Sequence, residues 1–383
     1  MQLIGVDSPM FKVAALADVH FNALPAEEMY TQLKETFLKY IDRHSLDMIV
    51  ICGDLYDSIV TMNSKASYLS MEFMKMMMET SIKRGIKYVR VVKGTLSHDN
   101  NQLINLRVFE GFPGIDFKII QTVTSETIED MNILYIPEEY MKDIDEYYKD
   151  YTDKKYDMIF GHGMFKETAF TATKQESAVT LSGAPVFDSK KMCEMCYGPI
   201  VFGHIHTSVS IRKKVIYVGS FSRWVFGEEE KKGFLVFAYG KESHDFSTEF
   251  IENKLAERYD TVTLVDCDKY NARPDVLVER FASLNKGKLR IKIIVSGEKD
   301  CSYVLNYLRE YYAKSKTFKL VITDKRMVVR EMESEDKMNE VMDKYKFVFD
   351  KHLPHAEKIS KFIKIRYNKD IAPERIKEEL DLL

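Results

Sequence analysis

Ala14-Ala15-Leu16-Ala17-Asp18-Val19-His20 is the stretch on which the reading of this chain turns. A short apolar run of this kind predicts a buried β-strand. It stops at a carboxylate and an imidazole with one residue between them. On an extended backbone, residues two apart project to the same side, so Asp18 and His20 are expected to aim at one point past the strand end. Open α/β sheets keep their chemistry at that edge. A single Asp-x-His says little; recurrence decides its weight.

Four later segments repeat the grammar of an apolar run followed by a small or acidic residue and then His or Asp. Asp47 to Cys52 runs into Gly53-Asp54, and Lys87 to Val92 into Gly94-Thr95-Leu96-Ser97-His98-Asp99. Tyr156 to Phe160 meets Gly161-His162, and Pro199 to Phe202 meets Gly203-His204-Ile205-His206. Of nine histidines, His20, His98, His162, His204 and His206 fall in these positions, whereas random placement would scatter them. The glycines before Asp54, His162 and His204 are expected to let the backbone turn sharply at the strand ends. Imidazoles gathered with carboxylates suit first-row divalent metals. The set is too large for one ion. Two ions sharing one carboxylate would clamp a phosphate and lower the pKa of a water between them.

Around these segments, Met29, Leu33, Phe37 and Ile41 mark an amphipathic helix over Glu27 to Arg43. A Met-rich helix is expected from Ser64 to Lys83, stopped by Gly85, with its methionines filling core. Further strands are read at Phe117 to Gln121, Ile133 to Ile136, Val215 to Val218 and Phe234 to Tyr239. Strands alternating with helices early and dominating later predict an α/β (α+β) chain, built as a mixed sheet or a two-sheet sandwich with flanking helices. From about Lys254 the texture changes. Strands at Thr261 to Cys267, Lys288 to Ser296 and Phe318 to Thr323 alternate with helices at Pro274 to Leu284 and Asp300 to Ala313. Beyond Arg330 short charged helices keep an apolar stripe: Met338, Met342 and Tyr345, then Ile359, Phe362 and Ile363, then Ile376 and Leu380. The expected domains are 1–255, 256–330 and 331–383.

Composition narrows the classes. With 383 residues, 30% charged, and a net charge of −3, nothing global argues for nucleic acid or membrane, so any polyanion site must be local. The N-terminus carries no signal pattern and no apolar run approaches a spanning helix, so no membrane association is expected. Five cysteines without regular spacing favour a reducing cytoplasmic setting over a disulfide framework. Cys193 and Cys196 form one C-x-x-C with no second pair, and are read as ordinary helix residues.

The motif set, in this order, resembles the calcineurin-like metallophosphoesterases across about residues 11 to 240. Within them it is most similar to the SbcD-type nucleases of double-strand-break repair and recombination, through Tyr217-Val218-Gly219-Ser220, Lys232-Gly233-Phe234 and the later β/α domain with helices. The Gly94-to-Asp99 form resembles bacteriophage nucleases of that group, which would place the chain in a host-cell cytoplasm. The resemblance implies that Asp18, His20 and His206 hold one metal, Asp54 bridges, and His162 and His204 hold the second. It implies that His98 acts at the scissile phosphate, with Asp99 orienting it, and that Asp57 supports its loop. The family usually has Gly-Asn-His at the third motif, with the Asn amide on the second metal. Here Thr95, Ser97, Asn100 or Asn101 stands in, and a hydroxyl would leave that metal weaker or more exchangeable.

Further implications are two manganese ions, 3′-to-5′ exonuclease action on duplex DNA ends, and endonuclease action on single strands or hairpins. The middle domain would position DNA, and the C-terminal helices would bind an SbcC-type coiled-coil ATPase. A homodimer is also implied, with the helices at Met29 to Ile41 and Tyr68 to Met78 as candidate contacts that core packing explains equally well. Lys83, Arg84, Lys87, Arg90, Arg212, Lys213, Lys214, Lys286, Lys288 and Arg290 are candidates to touch phosphates. Two other readings are a small-molecule phosphodiesterase or phosphatase on the same site, and a non-catalytic scaffold for DNA ends.

Overall fold

In the computed structural model the apolar runs pair into two six-stranded mixed sheets, and the parallel strands of each end on one shared edge. The structure describes residues 10–140, 144–168, 185–265, 270, 273–284, 289–296, 301–313, 315, 318–324, 346–349, 353–367 and 369–381. The first sheet contains β1 (Phe11–Leu16), β2 (Met48–Cys52), β3 (Tyr88–Val92), β4 (Asp116–Ile120), β13 (Gly233–Tyr239) and β14 (Phe246–Glu252), in the order β14-β13-β1-β2-β3-β4. Strands β1 to β4 are mutually parallel, with Val13 beside Met48 and Met48 beside Tyr88. The second sheet contains β5 (Thr124–Ile128), β6 (Met131–Ile136), β7 (Met158–His162), β10 (Ile200–Gly203), β11 (Val209–Ile211) and β12 (Val215–Tyr217), in the order β11-β12-β10-β7-β6-β5. Between β7 and β10 in the chain lies the short pair β8 (Met164–Phe165) and β9 (Val186–Phe187).

Side-chain alternation of period two sorts each strand between layers. Val13, Ala15, Met48, Val50 and Cys52 face Tyr135, Phe160 and Val201 in the inter-sheet core. Ala14, Leu16, Ile49 and Ile51 face outward onto helices. One of these is α1, Ala26–Gln32 continuing through a π-helical Leu33–Leu38 into Lys39–Ile41; it buries Met29, Leu33, Phe37 and Ile41 completely. The other is α2, Lys65–Arg84. The Ser64 hydroxyl accepts from the Ser67 N–H at its start, and Gly85 ends it at a φ of +74°. Met74, Met77 and Met78 are fully buried and Met71 and Met76 partly, so the methionines of this helix fill core. The far face of the second sheet packs on α3, Ser189–Met195, through Met192. The result is an α/β sandwich of two sheets with helices on both outer faces.

Two strands that the sequence pattern did not mark, β5 and β14, lie at sheet edges and carry Thr124, Ser125, Glu126, Thr127 and Ser247, Thr248, Glu249. Edge strands face water on one side, so they lose the apolar signature by which strands are read. Arg90 overturns its reading as a phosphate contact. Its side chain is fully buried, and it ties the two sheets together. Its Nε donates to Glu126 Oε1 at 2.6 Å and its Nη2 to Asp116 Oδ2 at 2.9 Å. Four of the other basic candidates are also engaged with acids: Lys83 with Asp42, Lys87 with Glu129, Arg212 with Glu167 and Arg290 with Glu257. Lys286 and Lys288 lie outside the described residues.

The chain divides into two compact units, Met1–Thr261 with Val278–Lys292 and Tyr312–Val321, and Val262–Leu277 with Ile293–Tyr311 and Ile322–Leu383. The later strands β15 (Arg258–Val265), β16 (Leu289–Ser296) and β17 (Phe318–Asp324) form a three-stranded sheet in that order. Helices Asp275–Leu284 and Ser302–Tyr312 separate them in the chain. Near the C-terminus lie helices His355–Tyr367 and Pro373–Asp381; Met338, Met342 and Tyr345 fall outside the described residues. Among the described cysteines Cys52, Cys193 and Cys196 are free, and Cys301 is disulfide-bonded, which a reducing setting does not predict. Cys193 lies on α3 and Cys196 directly follows it. Among the described residues no helix is long and apolar enough to cross a membrane.

Candidate metal centre

Because β1, β2, β3, β6, β7, β10 and β12 run parallel within their sheets, the loops after them open at one edge of the sandwich. Asp18 and His20 follow β1, Asp54 follows β2, Thr95 and His98 follow β3, His162 ends β7, and His204 and His206 follow β10. The expected two-apart alternation does not place the first pair. The strand ends at Leu16, and Asp18 and His20 sit at φ values of +47° and +50°. Asp54 and His204 share this left-handed backbone at +51° and +91°. Non-glycine residues there cost about 1–3 kcal/mol each and gather at functional sites.

The glycines do different work from that expected. Of Gly53, Gly161 and Gly203 only Gly53 turns the chain with a positive φ, and a Cβ on it would lie 2.1 Å from His162 Nδ1. Gly203 instead makes room: its Cβ would fall 2.2 Å from the Cys52 carbonyl oxygen. Gly161 lies within β7 and clears the Phe202 ring.

The six expected ligands come together. Ligand atoms of Asp18, His20 and His206 lie within 4.8 Å of one another, as do those of Asp18, Asp54 and His162. Asp54 belongs to a further such group with His20 and His98. Its Oδ2 is 3.7 Å from His20 Nε2 and 3.3 Å from His162 Nε2, which puts one carboxylate between two sets of imidazoles. Asp18 accepts the His204 N–H at 2.9 Å. His162 and His204 meet edge-to-face at 5.3 Å, and His20 lies 4.7 Å from His98 and 5.1 Å from His206.

Outer partners fix the ring orientations, as they do around metal-binding histidines. The Cys52 carbonyl accepts from His162 Nδ1 at 2.9 Å, which leaves Nε2 facing the cluster. Glu228 Oε1 is 2.5 Å from His206 Nδ1, and Lys232 Nζ is 3.2 Å from Glu228 Oε2. The Asp57 carbonyl accepts from His98 Nδ1, and Asp57 Oδ1 lies 3.4 Å from His20 Nδ1.

Asp99 therefore does not orient His98. Its buried carboxylate accepts backbone N–H groups of Asp54 at 3.0 Å, Tyr56 at 3.2 Å and Gly94 at 2.8 Å, clamping two ligand loops together. Burial and the neighbouring Asp54 push this acid up to about 7, against those donors. The open choice at the third motif also resolves. Thr95 lies in the cluster, its Oγ1 3.2 Å from Asp54 Oδ2 and 3.3 Å from His162 Nε2. Ser97 is exposed, and Asn100 accepts from the Asn101 N–H in its own turn.

The electrostatics match a site built for cations. Burial favours a neutral Asp54, but His162 and His20 outweigh it and hold the carboxyl well below the usual range. Burial likewise disfavours charged His162, yet Asp54, Asp18 and Glu138 leave its pKa well above the ordinary value. His20 is raised for the same reason by Asp57, Asp54 and Asp18 against burial. Both ring nitrogens of His20, together with Nε2 of His204, are buried without a hydrogen-bond partner. Carboxylates, imidazoles and orphaned buried nitrogens are the donor set of first-row divalent ions.

Three residues here were not read from the sequence. Glu138, two residues past β6, lies 3.2 Å from His204 Nδ1. Its signal was present, since Ile136-Pro137-Glu138 repeats the strand-then-acid grammar without a histidine. Glu228 had no such signal, because it lies in a loop 22 residues after its partner. Trp224 packs 4.6 Å from the His20 ring and 5.0 Å from His206.

No family model matches the chain, and no curated protein matches it. Among solved structures it is similar to a cold-active protein tyrosine phosphatase at 15% identity and a TM-score of 0.31, covering 63% of this chain and 79% of that one. It is also similar to a glutamine-dependent NAD+ synthetase from Acinetobacter baumannii in complex with ADP, at 10% identity and a TM-score of 0.32, covering 92% and 70%. Likenesses this distant bear on neither fold nor chemistry.

Proposed function

We propose that this chain is a metal-dependent phosphodiesterase, and more narrowly a DNA nuclease. The observation that carries the reading is the position of Asp54, one buried carboxylate flanked by His20 on one side and His162 on the other at 3.7 and 3.3 Å. Asp18, His20 and His206 would hold one divalent ion, His162 and His204 a second, with Asp54 between them. When bound, such a pair supplies Lewis acidity toward a phosphoryl group and lowers the pKa of water. Manganese is the ion we assign, on the motif resemblance; the mixed imidazole and carboxylate donors suit first-row divalent ions as a class.

The residues of the chain do the rest. Cys52 and Glu228 hold His162 and His206 in the tautomers that turn Nε2 inward. His98 is only half-buried and its Nδ1 is taken by the Asp57 carbonyl, so its Nε2 is the nitrogen left to protonate a leaving oxygen. The nuclease assignment, the SbcC-type ATPase partner and the homodimer rest on the motif resemblance. Ile359 and Phe362, exposed on helix His355–Tyr367, fit the docking role proposed for the tail.

Purified protein with manganese, offered linear duplex DNA, hairpin DNA and a bis-nitrophenyl phosphodiester, tests the reading. Cleavage of DNA that His98→Ala abolishes while ions remain bound is expected. Turnover of the small ester without DNA cleavage would replace the nuclease with a small-molecule phosphodiesterase, and no turnover of any ester would leave a scaffold. Removing residues beyond 331 should spare cleavage but end co-purification with the ATPase.

A further inference from the structure

Glu138 carries the strongest unclaimed chemistry in the molecule. It is 1% exposed, and its Oε1 is buried with no hydrogen-bond partner. Its Oε2 lies 3.2 Å from His204 Nδ1, 3.7 Å from His162 Nε2 and 3.4 Å from Thr95 Oγ1. The placement is built by the backbone: the Glu138 N–H donates to the Lys93 carbonyl at 3.2 Å, tying the end of β6 to the loop after β3. Among the described residues its ion-pair partners are these two imidazoles, while the neighbouring Glu139 takes Lys93 at 3.4 Å. A buried carboxylate without a lysine or arginine is expensive unless a cation joins it.

The geometry points to Glu138 as a ligand of the second ion, an inference that rests on the two-ion reading above. Ligand atoms of Glu138, His162 and His204 lie within 4.8 Å of one another. Thr95 stands where the motif resemblance expects an amide ligand, but its hydroxyl is engaged with Asp54 Oδ2 at 3.2 Å and Glu138 reaches the same place from another strand. The second ion would then have Asp54, Glu138, His162 and His204 around it. An anionic oxygen replaces a neutral one. The second ion is therefore held more tightly than the hydroxyl alone implies, with a preference for hard divalent cations such as manganese or magnesium.

The test is manganese titration of chelator-stripped full chain, with bound ions counted after equilibrium dialysis. Trp224, the one tryptophan in the chain, lies beside His20 and His206 and gives an independent fluorescence report on the first ion. Wild type is expected to bind two ions. Glu138→Ala is expected to keep Trp224 quenching and one ion, with the second weakened beyond the roughly 10–100-fold that loss of an outer partner costs. Glu138→Gln keeps the shape and loses the charge, so it should weaken the second ion alone, and it decides the matter if Glu138→Ala fails to fold. Thr95→Val should retain both ions. Two ions at wild-type affinity in both Glu138 variants would overturn the inference and leave the two-ion reading standing. Fewer than two ions in wild type would overturn that reading as well.

Discussion

Glu126 and Asp54 are both acids within the sandwich, and the chain treats them in opposite ways. Glu126 receives Arg90 at 2.6 Å, Tyr135 Oη at 2.8 Å and Lys118 at 2.5 Å. Every charge in that group has a partner from the chain itself. Asp54 and its neighbours Asp18 and Glu138 meet only imidazoles and N–H or O–H donors among the described residues, and several buried nitrogens around them have no partner. One cluster closes its own charge balance and joins two sheets. The other leaves buried nitrogens without hydrogen-bond partners among the described residues, on backbone held in left-handed conformations. A buried polar group that is complete contributes to the fold; one that is incomplete marks where the molecule acts.

The sharpest way to break this contrast is chelation. Stripping divalent ions should abolish phosphodiester turnover, and saturating manganese should raise unfolding free energy by about 2.7 kcal/mol for each ion present at a hundred times its Kd. A melting temperature indifferent to manganese would remove the difference between the clusters. Next in size, His98→Ala should lower kcat by about 10²- to 10⁴-fold with melting little changed, because its ring contributes one hydrogen bond at a half-buried position. Unfolding in that variant would make the histidine structural.

Arg90→Met should do the reverse. It leaves Glu126 and Asp116 without their buried partner, so unfolding free energy should drop by about 3–5 kcal/mol in a denaturant titration. Turnover per folded molecule should stay as it is, since Arg90 faces the inter-sheet acids and not the loop edge. The smallest effect is in acid. Burial opposes ionisation of Glu126, but Arg90 and Lys118 outweigh it and hold its pKa near 2 against an ordinary 4.5. Its contribution is complete above about pH 4.5 and lost as pH falls through about 2, on the order of 2–3 kcal/mol. Glu126→Gln should flatten that part of the stability curve, and an unchanged curve would show that the cluster carries no such charge.

Much of the sandwich was legible because its central strands are buried on both faces, which leaves continuous apolar runs. The edge strands Thr124–Ile128 and Phe246–Glu252 were not, since water on one side admits polar residues. The ligand histidines were legible for a local reason: each stands within a few residues of a strand end. Arg90 misled for the opposite reason. Its partner Glu126 is 36 residues away, and a buried arginine has the same letter as a solvated one.

That Asp18, His20, Asp54, His162, His204 and His206 belong to one cluster was readable along the chain, because each stands at or just past the end of a strand. Only the tertiary structure decided how those residues meet. Asp18 and His20 converge through left-handed backbone instead of strand alternation. Asp99 braces the Asp54 and Gly94 loops instead of His98, and Glu138 enters from β6 beside Thr95. Two of these relations join residues far apart in the chain, Asp54 with Asp99 at a separation of 45 and Thr95 with Glu138 at 43. Parallel pairing in three dimensions sets them, and no local pattern encodes it.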